Sequence, residues 1–506
     1  MLNVVTADGH GVVRCVPPRQ TPPAAAGVTA VMGPGGFTLG REGLGQGDVY
    51  YRVGLGRLEW SEDPADLADG SAGPDGCLPA PASGRHLPEP GTLLALIHGL
   101  APPPDATPLP GVRRLALGTT VHVGPEGVVV SRRRPTLPDG PADLLGSVAD
   151  ALSAAPDDYA IVYGGGLSSA FLAVAALAAG HRPRLLHAVL GLPGHRPAPA
   201  VVPGLALSRI PVDVFDLLDH HRSPLGGPMP TLPDVEFPRR LAAALTSVAG
   251  RTLASAALLE DLAGTRLPDV GRGPRDWRLL TCEPFHLSGV LPSLREAADL
   301  LEQGVVRSDR PGPSAPDDAQ APDGPPPPPP LGRRDLPVLT PRGRVALQTV
   351  QQASLSVWKD HLDLLGPLLG RADAGLAERV PRDGTILPAL DPAVLGAVQA
   401  LPPKQLGRIS RGLFRDNRPM AAAVARHRVR GLRRASSSFD LRLAAAAYLH
   451  SASAKIVIEL ERESALADMG LIDVGAVTGL LKEGPGRADH ALPLLRLLWI
   501  DRWLKG

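Results

Sequence analysis

Apolar residues follow three rhythms along this chain. Up to about residue 130 they come in short runs such as "GDVYYRVG", "GRLEWSE" and "TTVHVGPEGVVVS", separated by glycine and proline. That pattern predicts strands joined by tight turns. "PADLLGSVADALSAAP" (Pro141–Pro156) then places its apolar residues at helical spacing. The apolar run Tyr159–Tyr163 reads as a strand; it meets three glycines, Gly164–Gly166, and continues into the helix-forming stretch Ala170–Ala179, stopped by Gly180. "RPRLLHAVLG" and "IPVDVFDLLD" read as further strands, "EFPRRLAAALTSVAG" as a helix and "RTLASAA" as another strand. Strands alternating with helices predict a parallel sheet covered on both faces. In the last third, helices are predicted over Arg344–Leu365, Pro392–Leu401, Pro419–Arg434, Phe439–Leu460 and Leu492–Leu504.

These rhythms divide the chain into a β-rich part (1–135), an α/β part (136–308), an insertion (309–334) and a helical C-terminal part (335–506), an α/β fold class as a whole. Within the insertion, Asp309–Pro330, "DRPGPSAPDDAQAPDGPPPPPP", is polar, proline-rich and aperiodic. Such a composition offers no core and is expected to be extended or disordered. A length of 506 residues fits two or more domains.

Charge and cysteine content narrow the function classes. The formal net charge is +1, so no global field favours nucleic acid or a membrane surface. The three cysteines, Cys15, Cys77 and Cys282, are odd in number and far apart, which argues against a disulfide framework or a zinc site built on thiolates. Apolar stretches such as "AFLAVAALAA" fall short of the roughly 20 residues that span a bilayer. "MLNVVTADGHGVVR" lacks a basic segment leading into an apolar core, so no secretory signal is expected and the compartment is read as cytoplasmic.

The chemistry the residues suggest centres on Gly164–Ser169. A glycine turn lets the backbone approach an anion closely, and the unpaired amides of the following helix's first turn point at it. Ser168 and Ser169 are read either as hydroxyl donors or as helix caps. Glycine turns without a ligand are also common, and neither a Walker lysine nor the GxGxxG spacing is present. "DHHRS" (Asp219–Ser223) has adjacent histidines without the i,i+4 spacing that faces two ligands on a helix, and reads as a loop or helix end. GxSxG, CxxC and HExxH are absent.

The order of the pieces resembles the asparagine synthetase family, whose relatives include β-lactam synthetases and lasso peptide cyclases. The motifs that carry the resemblance are "REGLGQGDVYYRVGLGRLEWSEDPADLAD", "TPLPGVRRLALGTTVHV", the glycine loop, "LPSLREAADLLEQG", "LPVLTPRGRVAL", "LPALDPAVLGAVQALPP", "RRASSSFD" and "LLRLLWIDRWL", in the family's order. The resemblance implies a glutaminase-like (Ntn-type) N-terminal domain and an α/β ATP-pyrophosphatase-like domain with a helical C-terminal part. It implies ATP and Mg²⁺ as cofactors, and a peptide substrate or an intact homologous subunit as partner; neither nucleic acid nor membrane is expected.

The departures from the family fall on its chemistry. The family's loop reads Ser-Gly-Gly-x-Asp-Ser; here Gly164, Gly165, Gly166, Leu167, Ser168 and Ser169 align with it, so Ser168 replaces a Mg²⁺-binding carboxylate. The family's Gly-x-Gly-Gly-Asp-Glu turn aligns with "SAALLEDLAG". There Glu260 and Asp261 keep two acids, as metal ligands or a solvated helix face, but the glycines are lost and Ala256–Leu259 is expected to be helical. The family's lysine, which stabilises charge in the transition state, falls on Ser436, with Arg433 and Arg434 as the nearest cations. "RHRVRGLRR" (Arg426–Arg434) reads as an anion-pocket lining or an exposed helix face. Leu2 stands where glutamine-hydrolysing members have a cysteine, so glutaminase chemistry is not expected.

Overall fold

A computed structural model of the chain describes residues 3–7, 13–16, 27–43, 48–54, 57–68, 88–99, 103–191, 199–222, 229–259, 262, 337–351, 353, 385–402, 408–410, 413–415, 417–432, 441–482 and 488–505. Asp309–Pro330 lies outside them, as do the predicted site residues Glu260, Asp261, Arg433, Arg434 and Ser436. The architecture is mixed α/β: antiparallel sheets first, then a parallel sheet, then C-terminal helices.

The short alternating runs of the first third form two antiparallel sheets. One has the order β2-β1-β6-β5-β7, from β1 (Asn3–Ala7), β2 (Val13–Val16), β5 (Tyr50–Gly54), β6 (Arg57–Ser61) and β7 (Val112–Arg114). The other has the order β3-β4-β8-β9, from β3 (Val28–Gly33), β4 (Gly36–Arg41), β8 (Thr119–Gly124) and β9 (Gly127–Arg132). Their inner residues, including Val5, Phe37, Leu39, Tyr51, Trp60 and Val121, share one core between the sheets. Three buried charges are paired at its margin: Arg41 lies 3.2 Å and Arg114 3.5 Å from Asp48. A short helix α1 (Ala65–Ala68) follows β6.

The α/β part opens with α3 (Leu144–Ser153), capped by the Asp143 side chain accepting from the Gly146 amide. Then come β10 (Tyr159–Val162), α4 (Leu167–Ala178), β11 (Arg184–Val189), β12 (Leu207–Pro211), α5 (Val214–Leu218), α6 (Pro233–Ala249) and β13 (Thr252–Ala254). The sheet is parallel throughout, in the order β12-β11-β10-β13. Tyr159 and Ile161 face a core built with α3 and α4; Ala160 faces the opposite core with Leu186, Leu253 and Leu245 of α6. The predicted two-sided sheet is therefore present, with one correction. Only Leu207–Pro211 pairs as a strand around "IPVDVFDLLD", and Val214–Leu218 is helical, capped by Asp213 on the Phe215 amide.

C-terminal segments complete both this layer and a separate helical core. α8 (Pro392–Ala400) and α9 (Arg418–Arg426) pack with α3 and α4. A hairpin pairs β14 (Arg408–Ser410) with β15 (Leu413–Arg415). α9 ends at Arg426, not at Arg434: Arg428 turns with φ 54° and Arg430 bridges Val201, so the arginine run through residue 432 is not one helix face. The helical core gathers α7 (341–351), α10 (Leu441–Arg462), α11 (Ala465–Asp468), α12 (Val474–Lys482) and α13 (Ala488–Lys505). α2 (Pro90–His98), a helix inside the β-rich third, joins them through Leu93, Leu94 and Ile97. Among the described residues one stretch, Leu441–Asp468, is long and apolar enough to cross a membrane by length and composition; here its Ala444, Leu449 and Ile456 are buried in the helical core.

The two layers are tied by polar contacts of α6 with α13. Arg496 makes a bidentate pair with Asp234, at 3.0 and 2.6 Å, and the Arg240 guanidinium lies 5.0 Å above the Trp499 ring. His98, at the end of α2, lies beside Arg496. Burial, then that positive charge, lower its pKa from 6.5 to about 4. As pH falls the unfolded chain takes up this proton first, so the stabilisation is complete above pH 6.5 and is lost between 6.5 and about 4. A shift of this size corresponds to about 3 kcal/mol. Urea unfolding midpoints of the wild type should fall over that window, and those of His98→Leu should fall less; equal slopes would refute the assignment.

Candidate functional site

The parallel sheet has a switch point. From β10 the chain adds β11 and β12 on one side, then returns to place β13 on the other. The carboxyl ends of β10 and β13, side by side in the register Ile161↔Ala254, therefore open a crevice of the kind in which α/β sheets place ligands. Two sequence-predicted segments leave from those two ends: Gly164–Ser169 after β10 and Ser255–Leu259 after β13.

The first is a strand, glycine turn and helix, as its pattern predicts. Gly165 has φ 77°, and a Cβ there would lie 2.6 Å from the Pro199 Cβ, so both backbone and space require glycine. Among the described residues a Cβ on Gly164 or Gly166 would meet nothing within 4 Å. Gly166 is the N-cap of α4, extended at φ −84° and ψ −179°, with no side-chain cap. Neither serine caps the helix. Ser169 is buried, and its hydroxyl donates to the Gly166 carbonyl at 3.2 Å, so it offers an incoming anion its backbone amide and not its side chain.

The walls of the turn come from distant segments. Tyr163, buried at the end of the strand, donates its hydroxyl to the Ala200 carbonyl at 2.9 Å; burial pushes its pKa up to about 12, so it stays a neutral donor. His187 Nδ1 lies 2.9 Å from the Tyr163 carbonyl oxygen. Val201, next to Ala200, exchanges backbone hydrogen bonds with Arg430 at 2.8 and 3.1 Å. The fold thus brings Arg430 to the neighbourhood of the glycine turn.

The second segment overturns an expectation. Ala256–Leu258 is a turn and not helix: Leu258 has φ 68°, a left-handed backbone that costs a non-glycine residue about 1–2 kcal/mol. Tertiary contacts outweigh helix propensity here. Ser255 donates its amide to the Ile386 carbonyl at 3.0 Å, its Oγ accepts from the Ala257 amide at 3.2 Å, and the Leu258 side chain is buried in the core around α3 and α4. The turn survives without its glycines, and Glu260 and Asp261 follow it outside the described residues.

Asp219, His220 and His221 lie at a helix end, as read, with Asp219 the C-cap of α5 and His220–Arg222 a 3-10 turn, and they form a compact polar cluster with Tyr448 and Glu459. Adjacency in sequence concealed this, because the partners lie on a helix more than two hundred residues later.

The fold and the glycine turn define an α/β protein with a candidate anion site at the switch point of its parallel sheet. The chain matches no protein-family model and no curated protein.

Two stability measurements check this geometry. Gly165→Ala should destabilise by more than about 1 kcal/mol, through both φ and the Pro199 clash. Gly164→Ala and Gly166→Ala should shift the unfolding midpoint little, and equal effects at all three would contradict the turn. At Leu258 the usual order should reverse. Leu258→Ala should cost about 2–5 kcal/mol for the lost packing, whereas Leu258→Gly, relieved of strain, should be no worse than the alanine variant. A glycine variant clearly less stable than the alanine one would refute the left-handed assignment.

Proposed function

We propose that this chain is an asparagine synthetase-like protein of peptide natural-product biosynthesis that has lost catalysis and acts as a partner or binding subunit for a peptide or an intact homologue. On this reading the paired antiparallel sheets correspond to the Ntn-type domain, and the parallel sheet with its helices to the ATP-pyrophosphatase-like domain. The observation that carries it is Ser168 in the first turn of α4, where the resemblance calls for a carboxylate. Gly164, Gly165, Gly166 and the amides of Ser168 and Ser169 fit a phosphate-like anion, because backbone donors do not depend on side-chain identity. The same loop does not fit Mg²⁺, since a neutral hydroxyl is a poor ligand for a hard dication.

One observation favours the second reading, an active AMP-forming amide ligase or macrolactam cyclase without glutaminase activity. The Leu258 turn keeps the left-handed backbone that a glycine would otherwise supply, just ahead of Glu260 and Asp261. In such an enzyme ATP activates a substrate carboxylate as an acyl-adenylate with loss of pyrophosphate, and a substrate amine displaces AMP.

Calorimetric titration with Mg²⁺-ATP, paired with pyrophosphate release in the presence of candidate peptides, separates the two. The partner reading expects weak or undetectable ATP binding and no turnover. It also expects Ser168→Asp to leave the chain inactive, because the cation position at Ser436 would still lack its lysine. Tight binding with pyrophosphate release, abolished by Glu260→Gln, would replace it with the ligase reading.

A further inference from the structure

The strongest unassigned chemistry lies away from the glycine turn, where the 3-10 turn His220–Arg222 meets α10. His220 is buried and His221 half-buried; their rings lie 4.1 Å apart, tilted by 37°. Both aim Nε2 at a single oxygen, Oε2 of Glu459, at 3.6 and 3.4 Å. Neither nitrogen makes a hydrogen bond among the described residues. Asp219 completes the group: one ligand atom from each of Asp219, His220 and His221 lies within 4.8 Å of the others.

Tyr448 determines what His220 can offer. Its hydroxyl donates to Asp219 Oδ1 at 3.1 Å, so its oxygen is left to accept from His220 Nδ1, 3.2 Å away. A neutral His220 then carries its proton on Nδ1 and turns a bare lone pair at Nε2 toward the Glu459 carboxylate. Two acceptors facing each other in a buried site repel unless a cation lies between them.

The Lys505 ammonium lies 3.9 Å from the other oxygen, Oε1, and leaves Oε2 to the two rings. A single divalent metal there satisfies both Nε2 atoms and Oε2 together. The two Nε2···Oε2 distances agree with it: ligands about 2.0–2.1 Å from a tetrahedral zinc are separated from one another by about 3.3–3.4 Å, and the Asp219 carboxylate, within 4.8 Å of the imidazole ligand atoms, is near enough to close the set. The links from Tyr448 to His220 and Asp219 are the kind of outer contact that orients metal-bound imidazole and carboxylate.

We propose that His220 and His221 through Nε2, Glu459 through Oε2 and the Asp219 carboxylate form a binding site for a zinc-type divalent metal, with Tyr448 as its positioning residue. The site would fasten the turn after α5, in the α/β part, to α10 of the helical core. It is independent of the function proposed above. Its ligands, two imidazoles and two carboxylates, favour zinc or a neighbouring transition ion over magnesium, which takes oxygen ligands.

The test uses the full-length chain, stripped with a chelator and then titrated with Zn²⁺ by calorimetry and with Co²⁺ by visible absorption. One equivalent should bind, Co²⁺ should give the intense bands of a tetrahedral site, and bound zinc should raise the melting temperature. His221→Gln and Glu459→Gln, both at half-buried positions, should weaken binding more than about a hundredfold, and Tyr448→Phe, which keeps the ring and loses the hydroxyl, about ten- to a hundredfold. Absence of binding to the wild type overturns the proposal. So does binding that all three variants retain at wild-type strength, since the metal would then sit elsewhere. Should one variant fail to fold, as read by circular dichroism, the wild type and the remaining two still decide.

Discussion

A sheet whose strands all run parallel has no face it can leave to water, and much of this molecule answers that constraint. β10 is flanked by strands on both sides and sends Tyr159 and Ile161 one way and Ala160 the other, each into a buried cluster. One face is closed by α3 and α4, which follow the sheet's own chain order, together with α8 and α9, which come from beyond residue 390. The other is closed by α6, whose outer side offers Asp234 and Arg240 to α13. Covering the sheet thus also attaches the helical core and leaves the carboxyl edge of β10 and β13 as the place where loops are free to do something else.

At that edge the backbone is held in conformations that ordinary residues avoid. Gly165 takes its positive φ without penalty, and the Pro199 contact makes any larger residue costly there. Leu258 takes a similar φ at a penalty, offset by the burial of its side chain and the hydrogen bonds that tie Leu253 and Ser255 to Ile386. Two unrelated local solutions produce adjacent turns, which is why loss of glycines at one of them does not mean loss of the turn. The histidine cluster follows a different logic, electrostatic and not steric: two imidazole nitrogens converge on one oxygen of the Glu459 carboxylate, beside the Lys505 ammonium.

What the sequence made legible is what its neighbours in the chain decide. The strand, glycine turn and helix from Tyr159 to Ala178 could be read because strand-type residues, a positive-φ turn and helix formers follow one another within a couple of dozen positions. α3, α6, α8, α10 and α13 were legible from apolar spacing, as was the strand nature of Arg184–Val189 and Thr252–Ala254. Val214–Leu218 was not: its apolar run suits a strand as well as a helix, and the Asp213 cap decides. Nor was α2, whose apolar residues serve a helical core far along the chain and not the sheets around it.

By itself, then, the sequence determined the class of α3, α4, α6, α8, α10 and α13, the parallel sheet and the glycine turn, because propensity, periodicity and backbone freedom act over a few residues. Tertiary structure alone decided that Leu258 adopts a turn against its helix propensity, and that the arginine run leaves its helix at Arg426 to pair with Val201. It also decided that His220 meets a tyrosine 228 residues away. Each of these depends on a partner that only the folded chain brings within a few ångströms, where burial makes an unpaired polar group or an empty space cost more than the local preference it overrides.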